Sequence, residues 1–204
     1  MRVRDAVVVA EQGFSRIEPG GAGDEVVSIG AMVANNNRML AAARTTVKFE
    51  LIGPHGAVWQ ETLEIPIIEP RQRMPAGLEA TLPVTAAAGI SRLSVTVLTT
   101  HWLMHDRASP FARQNFRQTL APQSAIFAHV VSGPPQGCTG LVGIRGVVLF
   151  RDARQVLVGG TSVRTADQRL CEGGEGDVLI GKMPPAVELG GSEYSTYCDY
   201  PSSS

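Results

Sequence analysis

Apolar and polar residues alternate with a period of two along most of the chain. Thr46-Val47-Lys48-Phe49-Glu50-Leu51-Ile52 and Arg92-Leu93-Ser94-Val95-Thr96-Val97 show the pattern most plainly. Such alternation marks strands with one buried and one wet face. Val7 to Ala10, Val26 to Val33, Val58 to Ile68, Ser124 to Val131, Leu141 to Phe150 and Val156 to Val163 read the same way. Turn-formers separate them at Pro19-Gly20-Gly21, Asn35-Asn36-Asn37, Gly53-Pro54-His55-Gly56, Pro75-Ala76-Gly77 and Gly133-Pro134-Pro135. Short strands punctuated at this density predict an all-β chain of sandwich type. Two segments have helical composition. Arg38 to Arg44 is short and reads as a loop entering the next strand. Residues 109–120 read as a connector helix or ordered linker, with Ser109 as N-cap, Pro110 at the first helical position and Pro122 as a stop.

The two halves resemble each other. The strand Val47 to Ile52, the turn at Gly53 to Gly56 and the strand from Ala57 recur 98 residues later as Ile144 to Phe150, a turn at Arg151 to Arg154, and Gln155-Val156-Leu157. A shift of that size is about one sandwich domain. The chain is therefore expected to hold two tandem immunoglobulin-like β-sandwich domains, at residues 1–104 and 123–204, joined by a short helical or extended linker at 105–122.

The order of a strand, an Asn-bearing loop, a strand with F-x-L, a Gly turn and a further strand resembles the FxLYD-type immunoglobulin-like domains of bacterial extracytoplasmic proteins. Val33, Asn35, Phe49, Leu51, Gly56 and Val58 carry it in the first half. Val131, Leu149, Phe150, Asp152 and Val156 carry it in the second. The motif's Tyr-Asp is Ile52-Gly53 in the first copy, and Asp152 falls one residue late in the second. The resemblance implies a sandwich outside the cytoplasm in a family with no shared catalytic residues, so it transfers no catalytic position.

Composition sharpens the picture mainly by exclusion. The 204 residues carry a net charge of −1, so no global field draws the protein to nucleic acid or anionic membrane. No run of 18 apolar residues exists to form a membrane helix. The start, Met1-Arg2-Val3-Arg4-Asp5, has no apolar core of a signal peptide.

The three cysteines, Cys138, Cys171 and Cys198, have no C-x-x-C spacing for zinc or redox chemistry. If the strand ending at Phe150 returns through Val163, positions summing to about 306 face each other by hairpin pairing. Cys138 and Cys171 sum to 309, just beyond that hairpin's open ends. A disulfide between them would close a loop of about 33 residues and stabilise by roughly 3–4 kcal/mol. The alternative is two loop thiols that stay reduced. Cys198 is either a small buried hydrophobe or a partner for one of the others or for a second chain. A disulfide would place the protein outside a reducing compartment. The expected location is thus extracytoplasmic, secreted or membrane-anchored, with the signal or anchor absent from this chain.

Candidate chemistry is sparse. His101 and His105 would share a helix face, but on a strand they stand about 13 Å apart, too far for one metal ion. His55 and His129 lie elsewhere in the chain. Glu172, Glu175 and Asp177 sit in a Gly-rich stretch, a poor platform for a preorganised acid–base pair. Neither the G-x-G-x-x-G order nor a G-x-S-x-G elbow is present. No catalytic, cofactor-binding or metal-ligating residue is therefore named, and no cofactor is expected. Phe111, Arg113, Phe116 and Arg117 on the presumed connector form the one candidate partner face. The function expected from these observations is a non-enzymatic protein-interaction or spacer module of a bacterial cell-envelope protein. The alternative is a module binding a small ligand, carbohydrate or metal through its end loops, with Trp59, Trp102, Tyr194, Tyr197 and Tyr200 available to stack on a sugar.

Overall fold

The alternating runs become strands in antiparallel sheets. A computed structural model describes residues 5–17, 23–104, 116–122, 126–132, 143–165, 175–181, 184, 187 and 191–199. In chain order the first strands are β1 (Val7–Ile17), β2 (Asp24–Asn35), β3 (Leu40–Gly53), β4 (Gly56–Ile68) and β5 (Arg73–Pro83). The short helix α1 (Val84–Ala88) precedes β6 (Arg92–Met104). Then come β7 (Phe116–Pro122), β8 (Ile126–Ser132), β9 (Gly143–Arg151), β10 (Leu157–Thr165), β11 (Glu175–Gly181) and β12 (Glu193–Asp199).

The strand order occurs twice. Sheets β1-β2-β5 and β4-β3-β6 in the first half match sheets β7-β8-β11 and β10-β9-β12 in the second. Strands β2 to β6 start at residues 24, 40, 56, 73 and 92, and β8 to β12 at 126, 143, 157, 175 and 193, a shift of 101–103. The hairpins expected at Gly53 to Gly56 and after Arg151 are both present. In the second, paired residues sum to 309 from Gly159↔Phe150 to Thr165↔Ile144, three more than expected. A bulge between Leu157 and Gly159 accounts for part of that change.

Four local readings are corrected. Pro75-Ala76-Gly77 is not a turn but lies inside β5, opposite Met32, Ala31 and Gly30. Because β5 is an edge strand, its prolines need cost no ladder bond. Phe116 and Arg117, expected on a helix within the linker, start β7 and pair with Ser132 and Val131. A short helix has little stability of its own, and pairing with β8 decides the segment. Glu175 and Asp177 are not in a loop; they pair with Val131 and His129 as part of β11. Arg38 to Arg44 is loop only to Met39, since β3 begins at Leu40.

The main core lies between β1-β2-β5 and β4-β3-β6. Val27, Ile29, Ala31 and Val33 of β2 meet Val47, Phe49 and Leu51 of β3 there, with Ile65, Ile68, Met74 and Leu78. At one end, the buried Asn35 side chain binds four backbone groups. Its Nδ2 donates to the carbonyls of Leu40 (2.7 Å), Ile68 (3.0 Å) and Glu69 (3.2 Å). Its Oδ1 accepts from the Asn37 backbone N–H at 3.1 Å and from Asn37 Nδ2 at 2.9 Å. Asn37 in turn donates to the Asp5 carbonyl and accepts the Asp5 N–H. The Asn-bearing loop of the sequence thus serves as a structural corner.

Every residue of β2 from Val27 to Asn35 is buried, on both faces of the strand. Its uninterrupted small and apolar run fits a strand covered on both sides. The second cover is β10-β9-β12, whose Val147 joins the main core cluster and whose Leu149 packs with Leu157 on Met32.

Candidate functional site

Three glycines stand side by side across the sheet β1-β2-β5. Gly13 pairs with Gly30, and Gly30 pairs with Gly77. With no side chains there, the row forms a groove, and β10 crosses it. A Cβ on Gly13 would stand 1.9 Å from the Leu157 carbonyl oxygen, one on Gly30 2.4 Å from that of Gly159, and one on Gly77 2.6 Å from that of Thr161. Successive alternate residues of β10 therefore pass over successive strands, at a separation no other residue type permits.

Hydrogen bonds fix the crossing. Ser28 Oγ donates to the Gly160 carbonyl at 2.8 Å and accepts the Gly160 N–H at 2.9 Å. Ser162 Oγ donates to the Gly77 carbonyl at 2.7 Å, and Thr161 Oγ1 donates to Glu79 Oε1 at 2.7 Å. The backbone N–H and C=O of Gly160 are thus both satisfied by Ser28 in place of water.

Beside the groove runs a row of alternating charges: Arg73, Glu11, Arg151, Glu193. Arg151 projects from the end of β9 and is almost fully buried. Its Nη1 lies 2.7 Å from Glu11 Oε2, and its Nη2 lies 2.7 Å from Glu193 Oε1. Nε also donates to Glu193 at 3.0 Å, and Nη1 to the Gln155 carbonyl at 2.8 Å. Arg73 of β5 closes the row by pairing with Glu11. The Arg151 hydrogen bond holds the Glu11 carboxyl below its ordinary value, against the opposing effect of burial and with help from Arg73. The same hydrogen bond raises Arg151. A carboxylate held this firmly in its ionised form is a poor proton donor near neutrality, where general acids need a raised pKa. The row is suited to locking the halves together rather than to proton transfer.

The expected site residues are dispersed. Phe116 and Arg117 lie on β7; Phe111 and Arg113 fall outside the described residues, as do Cys138, Cys171, His105, Glu172 and Tyr200. Cys198 is placed in β12 opposite Ile144. His101 is exposed on β6. Among the described residues no three His, Cys, Asp or Glu side chains converge as metal ligands. Of the aromatics available for sugar stacking, Tyr197 is part of the main core and Trp59 and Trp102 pack against it. The sequence carries little sign of the joint. Its one local trace is Gly159-Gly160 within a strand pattern, where paired glycines signal close backbone approach.

Comparison with known proteins adds little. No family model matches the chain, and no curated protein matches it. A crystal structure of red sea bream transglutaminase is similar at a TM-score of 0.24 and 12% identity, over 95% of this chain and 28% of that one. The chain spans little more than a quarter of that structure, and a likeness at this level supports no argument about fold or activity. No helix among the described residues is long and apolar enough to cross a membrane.

Proposed function

We propose that this chain is a non-enzymatic spacer or protein-interaction module, built from two immunoglobulin-like sandwiches of the FxLYD type, in an extracytoplasmic protein of the bacterial cell envelope. The observation that carries the reading is the joint: the glycine row, Ser28, Ser162 and Arg151 all fix one half against the other. A spacer needs a set distance and angle between its ends, and a glycine groove crossed by a strand supplies both. The repeated strand order supports a tandem of sandwiches, since β1-β2-β5 facing β4-β3-β6 has the two-sheet antiparallel form of that fold. The alternative ligand module loses support because three of its five stacking aromatics are engaged with the core.

The extracytoplasmic part of the proposal rests on Cys138 and Cys171, whose numbers sum to 309, the register of the β9–β10 hairpin. Two measurements test the reading separately. Alkylation of native protein followed by intact mass should find one free thiol before reduction and three after, with a peptide linking Cys138 to Cys171. Three free thiols in unreduced native material would remove the compartment argument. Small-angle X-ray scattering should fit a single rigid particle. A profile requiring an ensemble of half-to-half orientations would remove the spacer.

A further inference from the structure

Strand β9 repeats the burial of β2. Val147, Val148, Leu149, Phe150 and Arg151 are consecutive, so their side chains point to both sides of the sheet, and all are buried. A sandwich of two sheets that stands alone leaves the outer face of each sheet to water, and its strands alternate accordingly. Strand β3 alternates in this way from Thr45 to Gly53. The central strands of the two sheets that meet at the joint do not.

The side chains at the joint show what each half takes from the other. Val147 of β9 and Tyr197 of β12 belong to the same buried cluster as Val27, Ile29 and Phe49 of the first half. Leu149 and Leu157 pack on Met32 of β2, and all three are nearly or fully buried. Opening the joint would therefore wet Met32 and the Gly13-Gly30-Gly77 row on one side, and Val147, Leu149 and Leu157 on the other. It would also strip Arg151 of Glu11, leaving it Glu193 from its own half. A guanidinium cannot shed its proton to relieve such a loss. The Gly160 peptide would lose Ser28, which now satisfies both its N–H and its C=O. Apolar burial, backbone hydrogen bonds and a buried charge thus all depend on the two halves being folded together.

We propose that the two halves are one cooperative folding unit, in which the joint couples their stabilities so that a gain or loss in either half is shared by both. Such coupling is reciprocal: a ligand or partner that binds one folded half steadies the other by linkage, without touching it. The inference rests on the joint and not on the spacer reading, since a module of either kind can be coupled in this way.

Urea unfolding of the intact chain tests it with two probes that see different halves. Both tryptophans, Trp59 and Trp102, lie in the first half and pack against the main core, so indole emission follows that half. Amide hydrogen exchange of β9, read by mass spectrometry of its peptides, follows the second. The two should report one midpoint. Ile65→Val, a change in the main core on a strand away from the joint, should then move both together. Without urea it should speed exchange of the slowest β9 amides and the slowest β3 amides by the same factor, roughly two- to tenfold. Gly30→Ala places a Cβ 2.4 Å from the Gly159 carbonyl oxygen. In that background Ile65→Val should shift the indole midpoint and leave β9 unmoved. Separate midpoints in the wild type would overturn the proposal, as would β9 exchange that stays at its wild-type rate in Ile65→Val. A shift still shared in the Gly30→Ala background would overturn it equally, because the joint would not be the coupler. The single Ile65→Val variant decides the matter even where Gly30→Ala does not fold.

Discussion

The sheet β1-β2-β5 is covered on both faces, and the two faces are covered by opposite means. On one, Val27, Ile29, Ala31 and Val33 interdigitate with Phe49, Val47 and Leu51, and the contact is strong because large side chains leave water. On the other, Ser28, Gly30 and Met32 meet β10, and the contact is close because side chains are missing. There the backbones approach until hydroxyls and peptide groups bond directly. The first face tolerates modest changes of shape provided volume is kept. The second tolerates no added carbon at its centre. One face is thus sensitive to loss of volume and the other to its gain, and the second also fixes direction, since hydrogen bonds on Ser28 and Ser162 allow one register.

The largest effect that separates the two faces should come from Phe49→Ala. Phe49 is fully buried in the main core, and its truncation should cost about 3–5 kcal/mol in urea unfolding. Scattering from the surviving folded fraction should keep the half-to-half geometry. Gly30→Ala should act in the reverse manner. In an unopposed strand alanine is favoured over glycine by about 0.5–1 kcal/mol, whereas here its Cβ meets the Gly159 carbonyl. A net loss of about 1–3 kcal/mol is expected from overpacking, together with a broadened scattering profile. A stabilised Gly30→Ala protein would mean that the halves are not held in this contact.

The smallest effect belongs to the charge row. Because the folded-state pKa of Glu11 is lowered from 4.5, its contribution is fully present above that value. It is lost as pH falls below 4.5 through the folded-state value. With Glu11 a third exposed, solvent screening limits that contribution to about 1 kcal/mol or less. Unfolding free energy measured between pH 7 and pH 3 should fall less in Glu11→Gln than in wild type. An identical pH dependence in both would show that Glu11 contributes nothing to the lock.

Much of the architecture was legible because alternation is a local property. Phe49 and Leu51 on one face and Lys48 and Glu50 on the other announce β3 without knowledge of its neighbours. The hairpins at Gly53 and Arg151 were legible for the same reason, through turn residues between two alternating runs. The errors arose where a local signal was outvoted by a partner strand. Pro75 and Gly77 have the composition of a turn, yet β2 holds them extended. Phe116 to Leu120 have the composition of a helix, yet β8 pairs with them. The CEGGEGD stretch reads as loop, yet Glu175 and Asp177 lie in a ladder.

What the sequence by itself determined is therefore the strand content and the hairpins, carried by alternation and turn residues within a few positions of one another. The joint was decided only in three dimensions. Gly13, Gly30 and Gly77 are 17 and 47 residues apart in the chain, and nothing local marks them as one feature. They become a row when antiparallel pairing sets the register of three strands, and the row becomes a groove when β10 crosses it. Arg151 likewise looks like a turn residue until folding brings Glu11 from the other half within 2.7 Å. Contacts of this kind depend on register and on the stacking of sheets, which short-range patterning leaves open.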